Sequence, residues 1–235
     1  MDEFCKACIA VYDFGDEAMR TFAVIGMSSF GYYLCRFLAQ HGIQVMAIDN
    51  DENKIDDVKP FVQKAIVADA KDKDALKALG LEDIDVVVVS VGEPIDTSVL
   101  ITLYLRELDV KEIVAKAVSE DHGKILDRIG ATTIIFPERD MALRTAYILR
   151  RSSLLDYVSL GDGYSIIEMA PPNAWLRKPL AELDIRKKYQ VQIVMIKELV
   201  PERVTLIPGG DHVLKDSDIL IVVGRDEDLQ QIEKL

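Results

Sequence analysis

The sequence is poor in cysteine, histidine and long hydrophobic runs, and its basic residues are outnumbered by acidic ones. Three cysteines and three histidines occur among 235 residues, which is too few cysteines for a disulfide framework. With 28 basic against 40 acidic side chains, the formal net charge is −12. The chain therefore lacks the basic surface that binding to nucleic acid or to an anionic membrane requires.

No apolar run approaches the ~18 residues that a membrane-spanning helix needs. The longest, Ile84–Val91, is interrupted by a charge. The first residues also lack the basic start and apolar stretch of a signal peptide, so we expect a soluble, cytoplasmic protein. Hydrophobic residues make up 49% of the chain, which is ample for a buried core, and the length allows one large domain or two small ones.

Cys5 and Cys8 form an isolated C-x-x-C pair. A structural zinc site needs four ligands, and Cys35 with the scattered histidines does not provide a second ligand pair. We therefore interpret Cys5 and Cys8 as small apolar residues of an N-terminal segment and favour this over metal or redox chemistry.

Between residues 21 and 136, short apolar runs alternate with segments of helical periodicity. The predicted strands are Thr21–Ile25, Val45–Ile48, Lys64–Ala68, Asp85–Ser90, Ile113–Ala117 and Thr132–Phe136. The predicted helices between them are Phe30–His41, Glu52–Phe61, Asp72–Leu79, Thr97–Leu108 and Asp121–Ile129. This alternation is typical of an α/β fold with a Rossmann-like, doubly wound parallel sheet and helices on both faces.

After residue 136 the pattern changes to a longer helix, Glu138–Arg151, followed by short strands and turns. The predicted elements are strands Leu155–Leu160, Tyr164–Met169, Gln192–Lys197, Val204–Ile207 and Asp218–Val223 and helices Leu180–Tyr189 and Asp226–Leu235. These indicate a smaller α+β C-terminal domain. We divide the chain into an N-terminal extension (1–18), a nucleotide-binding domain (19–138), a linking helix (139–152) and a C-terminal regulatory domain (153–235).

The loop Gly26–Gly31 lies between the first predicted strand and helix, where dinucleotide-binding folds carry G-x-G-x-x-G. Gly26 permits the tight turn and Gly31 lets the helix approach the sheet, but Ser28 replaces the middle glycine. The hydroxyls of Ser28 and Ser29 can donate hydrogen bonds to a phosphate at the helix N-terminus. A Rossmann-like fold with an empty or altered site is the alternative.

Asp49 ends the second predicted strand. A carboxylate there accepts hydrogen bonds from both ribose hydroxyls and repels a 2′-phosphate. Asp49 thus favours NAD, ATP, ADP or AMP over NADP; the alternative role is an N-cap of the following helix. The other residues of this candidate nucleotide site are Phe30, Asn50, Asp69, Ala70, Ser90 and Gly92. For the last four, which follow the third and fourth predicted strands, turn chemistry alone is the alternative.

The segment Phe22–Gly31 resembles the opening of RCK domains, the regulators of potassium conductance, of bacterial Ktr- and Trk-type uptake systems. The resemblance continues through Ala47–Lys54, Val114–Ala117, Ile129–Ala131, Phe136–Met141, Leu183–Tyr189 and Asp218–Gly224. It implies a non-catalytic cytosolic subunit that binds an adenine nucleotide. Homodimers of such subunits assemble into an octameric ring under a membrane potassium-translocating subunit. A single RCK unit is similar to the Ktr type rather than to the tandem Trk type.

The resemblance also implies roles for individual residues. Lys116 is expected near the nucleotide phosphates, and Glu138 near a divalent cation that bridges them at the dimer interface. Alternatively, Lys116 is solvated at a strand edge and Glu138 complements the charge of the helix it begins. Some relatives bind cyclic di-AMP in the C-terminal domain, and the corresponding residues here are Leu180, Arg186, Gln192, Ile193 and Pro208. The alternative for these is a solvated helix end and a small apolar core.

Two features depart from the family pattern. Ktr-type members usually read Gly-x-Gly-Arg-Phe-Gly, and that arginine contacts the terminal phosphate of ATP, whereas here Ser29 occupies its position. A hydroxyl does not replace a guanidinium fork, so we expect weak discrimination of ATP from ADP, or a preference for AMP, ADP or NAD. Residues 1–18 precede the usual family start and are interpreted as an added segment or a mis-set start codon.

Two other function classes use a Rossmann-like first domain, because fold does not fix function. The main one is an NAD-dependent oxidoreductase, but among the histidines only His212 follows the linking helix, and no acid–base constellation is visible in the sequence. The second is a redox-sensing transcription regulator, against which the missing basic helix-turn-helix argues. An oxidoreductase predicts nicotinamide turnover, and a regulator predicts nucleotide binding without turnover.

Overall fold

The computed structural model describes residues 20–149, 154–232 and 234–235. They divide into two compact units, with the boundary in the chain between Pro137 and Glu138. The N-terminal extension with Cys5 and Cys8, and the last residues of the predicted linking helix, lie outside the described residues.

The first unit is built on a six-stranded parallel sheet in the order β3-β2-β1-β4-β5-β6. Its strands are β1 (Phe22–Ile25), β2 (Val45–Asp49), β3 (Lys64–Val67), β4 (Val86–Val89), β5 (Glu112–Lys116) and β6 (Thr133–Ile135). The predicted strands are confirmed to within one residue at each end, because each apolar run is bounded by glycine or polar residues that do not continue it. This strand order is that of a doubly wound Rossmann fold.

Five helices connect these strands: α1 (Ser29–Gln40), α2 (Glu52–Val58), α3 (Lys73–Ala78), α4 (Ile95–Glu107) and α5 (Glu120–Ile129). Side-chain oxygens cap four of their N-termini, namely those of Ser28, Asp51, Asp72 and Ser119. Helix α2 ends at Val58, three residues before the predicted end at Phe61. The reason is Pro60, which lacks the N–H that would continue the helical hydrogen bonds.

Both faces of the parallel sheet are covered by helices. On one face α3, α4 and α5 contribute the buried side chains of Leu76, Ile101, Leu105 and Leu126. On the other, α1 and α2 contribute Cys35, Ile55 and Val58. The central strand β4 consists of four buried valines, as expected for a strand that has a core on both sides. This arrangement leaves the ends of the strands as the accessible part of the sheet.

The second unit contains an antiparallel five-stranded sheet in the order β10-β9-β11-β8-β7. Its strands are β7 (Leu154–Gly161), β8 (Tyr164–Met169), β9 (Gln192–Leu199), β10 (Glu202–Leu206) and β11 (Asp218–Arg225). Its helices are α6 (Pro137–Leu149), which enters the unit at Glu138, α7 (Leu180–Leu183), α8 (Ile185–Tyr189) and α9 (Asp226–Ile232). The predicted α+β C-terminal domain is confirmed as a fold.

The turn between β7 and β8 confirms the hairpin expected from Gly161-Asp162-Gly163. Asp162 and Gly163 have φ angles of 50° and 76°, and positive φ at both central residues matches the twist of an antiparallel hairpin. The single predicted helix Leu180–Tyr189 is wrong. It is interrupted at Asp184, whose φ of 45° is left-handed, so the segment forms the two short helices α7 and α8.

The core of the second unit is separate from that of the first and includes Trp175, Ile196, Leu220 and Ile232. Helix α6 is attached to β7 within this unit. The rings of Tyr147 and Tyr157 stack with centroids 4.1 Å apart, and Arg144 donates to both carboxylate oxygens of Asp156 at 2.8 and 2.6 Å. A stacked pair and a bidentate ion pair thus hold the helix in one orientation on its strand.

Candidate functional site

The candidate nucleotide site lies at the carboxyl ends of the parallel strands, where the strand order reverses. Strand β1 pairs with β2 on one side and with β4 on the other, so the loops after β1 and β4 lead to opposite faces of the sheet. Ligands of doubly wound folds bind in the crevice at such a point. The Ser90 N–H donates to Ile25 O at 2.8 Å, which brings the two loops together.

The two glycines of the loop have the roles expected from the sequence. Gly26 has a φ of +94°, and a Cβ on it would lie 2.6 Å from Val91 Cγ2. A Cβ on Gly31 would lie 2.1 Å from Gly26 O. No side chain fits at either position, so the turn after β1 and the close approach of α1 to it both depend on glycine.

Ser28 and Ser29 differ in what their hydroxyls contact. Ser28 is the N-cap of α1; its Oγ lies 2.7 Å from Ser90 Oγ and accepts the Gly31 N–H at 3.4 Å. Ser29 is the first residue of α1 and is exposed. The first turn of α1 carries no acidic residue, so no carboxylate there occupies the positive end of the helix dipole. Ser29 therefore presents the accessible hydroxyl of the loop.

Asp49 is held between the glycine loop and the loop after β2. It is 8% exposed. Its Oδ2 accepts the Met27 N–H at 2.6 Å and its Oδ1 accepts the Asp51 N–H at 2.9 Å. Each carboxylate oxygen has a second lone pair, which is available to a ligand hydroxyl.

The alternative that Asp49 caps helix α2 is wrong, because the cap is Asp51. The Asp51 Oδ1 accepts the Asn53 N–H at 3.0 Å. Lys54, to which the sequence analysis gave no role, lies on α2 with its Nζ 3.6 Å from Asp49 Oδ2. The spacing of Lys54 from the strand end is the signal that could have identified it, since the first turn of α2 returns over Asp49.

Lys116 is the last residue of β5 and is only 7% exposed, which contradicts the alternative of a solvated lysine. Gly92, in the loop after the neighbouring strand β4, lies beside it: a Cβ on Gly92 would be 3.1 Å from Lys116 Cε and 3.4 Å from Nζ. The structure therefore places a buried ammonium group at the same edge as the loops after β1 and β4.

The remaining predicted residues of this edge have different environments. Phe30 is half-buried and packs against the core cluster under α1 and α2, so its ring serves apolar packing. Ser90 is fully buried and Ala70 is 8% exposed. Asn50 is exposed, as is Asp69, whose Oδ1 accepts the Lys71 N–H at 3.0 Å in a turn.

The predicted residues of the second unit are partly exposed and partly core. Glu138 is exposed in the first turn of α6, together with Asp140. Arg186 and Gln192 are exposed, Leu180 and Pro208 are half-buried, and Ile193 is 4% exposed in the core. The apolar-core interpretation therefore applies to Ile193.

Two potentially reactive side chains of the first unit are engaged in packing. Burial raises the pKa of the Cys35 thiol to about 12, so the thiolate is not formed near neutral pH. His122 is 1% exposed, and burial lowers its pKa. Its Nδ1 accepts the Val118 N–H at 3.3 Å, so its Nε2 carries the proton, 3.0 Å from Ser98 Oγ. His122 thus connects α4 and α5.

In the described part of the chain, no helix has the length and apolar character needed to cross a bilayer.

Two domain families match this chain. The TrkA-N domain model matches residues 22–137 and the TrkA-C domain model matches residues 164–235. The first match spans the parallel sheet with the candidate nucleotide site, and the second spans most of the antiparallel unit.

Curated relatives match over nearly their full length. The chain is 40% identical over 215 residues to Ktr system potassium uptake protein C of Bacillus subtilis, covering 92% of this chain and 96% of the relative. It is 34% identical over 214 residues to Ktr system potassium uptake protein A of the same organism, covering 91% and 96%.

Solved structures share the fold at low identity. The crystal structure of the GsuK RCK domain superposes with a TM-score of 0.64 at 17% identity, covering 100% of this chain and 52% of that one. The GsuK channel bound to NAD gives a TM-score of 0.63 at 18% identity, covering 94% and 40%. At these identities the likeness concerns the fold alone.

Proposed function

The chain belongs to the TrkA-domain family of Ktr-type potassium uptake proteins, as its RCK motifs indicated, and from this membership we propose that it is the regulatory subunit that gates a bacterial potassium uptake system. In this role it is cytoplasmic and reaches the inner face of the membrane through a potassium-translocating protein partner. Homodimers assemble into a ring of eight subunits beneath that partner.

The ligand that controls this subunit is an adenine nucleotide bound at the carboxyl edge of the parallel sheet. The observation that carries the proposal is the Asp49–Met27 hydrogen bond of 2.6 Å. It fixes a ribose-binding carboxylate against the backbone of the loop whose helix N-terminus receives phosphate. The buried ammonium of Lys116 at the same edge supports binding of the phosphates.

The nucleotide preference follows from the loop that replaces Gly-x-Gly-Arg-Phe-Gly. Ser29 offers an exposed hydroxyl where relatives carry a guanidinium, and the Ser28 hydroxyl is engaged with Ser90. The terminal phosphate of ATP therefore has weaker partners, and ATP and ADP bind with similar affinity. NAD and AMP meet the same ribose requirement at Asp49.

Nucleotide binding here serves regulation rather than turnover. Both ring nitrogens of His122 are directed at protein groups, so this histidine is not available as an acid or base at the edge. Exchange of one nucleotide for another shifts the assembly between two shapes by the difference in affinity for them. The ring transmits that shift to the membrane partner.

Two further ligands belong to this proposal. Glu138 contributes an oxygen ligand to a divalent cation that accompanies the nucleotide; a carboxylate is a suitable ligand for a hard cation. The C-terminal domain binds cyclic di-AMP, with the exposed Arg186 pairing with phosphate and the half-buried Leu180 and Pro208 beside a base.

The nucleotide-binding part is tested by titrating purified, nucleotide-free protein with ATP, ADP, AMP and NAD by calorimetry. We expect saturable binding of an unphosphorylated-ribose nucleotide and no oxidation or reduction of NAD with candidate hydroxy acids. Turnover of NAD would favour the oxidoreductase. ATP bound at least tenfold more tightly than ADP would contradict the expected weak discrimination.

The gating part requires the membrane partner. The subunit is co-expressed with the potassium-translocating protein of the same organism, the two are co-purified, and potassium flux is measured in proteoliposomes with ATP or ADP. We expect a stable complex and a nucleotide-dependent flux. The absence of both association and nucleotide effect would overturn the regulatory function.

A further inference from the structure

Three potential metal ligands converge at one end of the antiparallel sheet. Glu198 lies near the end of β9 and Asp218 begins β11, and the two residues are directly opposite in the antiparallel register. His212 comes from the loop before β11, with its Nε2 3.4 Å from Asp218 Oδ2. One ligand atom from each of the three side chains lies within 4.8 Å of the other two.

The two carboxylates of this cluster are buried against each other. Glu198 is 7% exposed and Asp218 is 2% exposed. Like charges directly opposite on neighbouring strands repel, and a buried carboxylate is costly unless it is paired. Lys215 supplies one ammonium, 2.6 Å from Glu198 Oε1. Arg203, opposite Glu198 in the register of β10 and β9, adds a second and more distant positive charge, but no donor among the described residues reaches Asp218 Oδ1.

Only one of the two carboxylate oxygens of Asp218 has hydrogen-bond partners. Its Oδ2 accepts the Lys215 N–H at 2.9 Å and faces His212. Its Oδ1 is buried without a hydrogen-bond partner among the described residues, on a side chain with 0% exposure. Buried polar atoms of native proteins are nearly always satisfied, so an unsatisfied carboxylate oxygen in a cluster of ligand atoms points to a cation.

The donor set indicates which class of cation fits. One imidazole nitrogen and two carboxylate oxygens suit Zn²⁺ and similar transition metals, whereas Ca²⁺ and Mg²⁺ favour oxygen ligands alone. A tetrahedral ion with bonds of ~2.0–2.1 Å holds its ligand atoms ~3.4 Å apart; His212 Nε2 lies 3.4 Å from Asp218 Oδ2, a distance at which the two atoms also form a hydrogen bond without an ion. We propose that Glu198, His212 and Asp218 bind a divalent transition-metal ion, with Zn²⁺ as the best match and water as the fourth ligand.

The loop that carries His212 is held in place by backbone hydrogen bonds, so the ligand needs little reorganisation. The Leu180 N–H donates to His212 O at 3.0 Å, and the Leu214 N–H donates to Lys178 O at 3.2 Å. Lys215 lines an open pocket with Val213 and Asp216 and its side chain is 47% exposed. Its ammonium can therefore leave Glu198 for solvent when a metal ion arrives.

The site is tested on the full chain, prepared without a histidine tag and freed of metal and nucleotide. Zn²⁺ is titrated in competition with a chelating dye, and bound metal is counted by mass spectrometry. We expect one Zn²⁺ per chain beyond any metal bound with nucleotide. His212→Gln and Glu198→Gln each weaken binding at least tenfold, while the matched controls His41→Gln and Asp216→Asn bind as the unmodified protein does. Co²⁺ in place of Zn²⁺ gives the visible absorption of a four-coordinate ion.

Lys215→Met separates a metal site from a purely structural ion pair. If the cluster binds metal, Lys215→Met binds Zn²⁺ more tightly than the unmodified protein, because the ammonium no longer competes for Glu198. If Lys215 and Glu198 form only a structural ion pair, Lys215→Met loses stability and gains no affinity for Zn²⁺. The proposal is overturned by the absence of saturable Zn²⁺ binding, by His212→Gln that binds normally, or by tighter binding of Mg²⁺ or Ca²⁺ than of Zn²⁺. The fluorescence of Trp175, the single tryptophan, verifies that each variant is folded.

Discussion

Asp49 and Asp218 are both buried carboxylates at the end of a strand, yet the protein satisfies them differently. Backbone N–H groups of Met27 and Asp51 bind one oxygen each of Asp49. In Asp218 one oxygen receives donors, and the other is unsatisfied within the described part of the chain. Asp49 is thus fixed by two backbone donors, with the ammonium of Lys54 3.6 Å from its Oδ2. A carboxylate opposite a second carboxylate needs positive charge.

The largest effect that bears on this contrast is expected from Asp49→Ala. A hydrogen bond to a charged group contributes about 1.5–3 kcal/mol, and this substitution removes the proposed acceptor of two ribose hydroxyls. Calorimetry should show the affinity for ADP falling at least a hundredfold. The control is Asp85→Asn, in the same unit, where Asp85 precedes β4 and accepts the Thr21 N–H at 2.9 Å; it should bind normally. Normal binding by Asp49→Ala would place the ribose elsewhere.

The difference in how Asp49 and Asp218 are satisfied is tested by measuring the free energy of unfolding of Asp49→Asn and Asp218→Asn without ligands. The substitution Asp49→Asn turns an amide NH₂ group towards one of two backbone N–H donors, at a cost of about 1–3 kcal/mol. The substitution Asp218→Asn replaces a carboxylate that has one unsatisfied oxygen and keeps an acceptor for the Lys215 N–H, so it should change stability by less than about 1 kcal/mol. Urea unfolding followed by circular dichroism reports both units together, Trp175 fluorescence reports the second, and the difference between the two transitions reports the first. Equal losses would mean that the two carboxylates are equally satisfied.

Ser29→Arg tests where the nucleotide phosphates lie relative to Asp49. It adds a guanidinium at the N-terminus of α1, which forms a charge-assisted fork with phosphate. The ratio of ATP to ADP affinity should rise about tenfold, corresponding to ~1.4 kcal/mol. Ser29→Lys adds the same charge without the fork and is the matched control. An unchanged ratio in Ser29→Arg would show that the terminal phosphate lies away from α1.

The smallest effect is expected at Asp156, a carboxylate with a complete set of charged and neutral donors. Burial alone would raise the pKa of Asp156, but hydrogen bonds from Arg144 and from the Tyr157 N–H outweigh it and hold the pKa below its ordinary value. This stabilisation is present above the pKa of the unfolded chain and is lost as the pH falls through the lowered folded pKa. Arg144→Met should therefore raise the acid-unfolding midpoint of the second unit.

The pair is part-exposed, so the loss near neutral pH is about 1 kcal/mol. The measurement is Trp175 fluorescence between neutral pH and strongly acidic pH. Arg144→Lys, which keeps a positive charge beside Asp156 without the bidentate fork, should shift the acid midpoint less. An acid midpoint that is the same in Arg144→Met and the unmodified protein would mean that the ion pair is fully screened.

The sequence predicts the parallel sheet well because each of its strands is a short apolar run between polar or glycine boundaries. The position of Asp49 relative to Gly26 likewise follows from spacing, since the first βαβ unit brings both to one edge. The break at Asp184 is different, because a left-handed aspartate interrupts a segment whose composition is helical. Tertiary packing of Leu183 and Ile185, both 6% exposed, selects that conformation over a continuous helix.

Contacts between distant loops are the part that the sequence does not reveal. Glu198, His212 and Asp218 have no metal-motif spacing, and only the antiparallel register of β9 and β11 places the two carboxylates opposite each other. The partner of Ser28 is similarly hidden. Its role as a helix cap follows from position, but its hydrogen bond to Ser90 depends on the strand order.

The Ser28–Ser90 hydrogen bond of 2.7 Å connects two loops across the crevice of the parallel sheet. It joins the loop leading to α1 with the loop after β4, and these loops serve opposite faces of the sheet. We therefore expect a ligand that displaces one loop to displace the other loop as well. A glycine at position 28 would remove this side-chain contact and leave the backbone hydrogen bond from Ser90 to Ile25 to join the two loops.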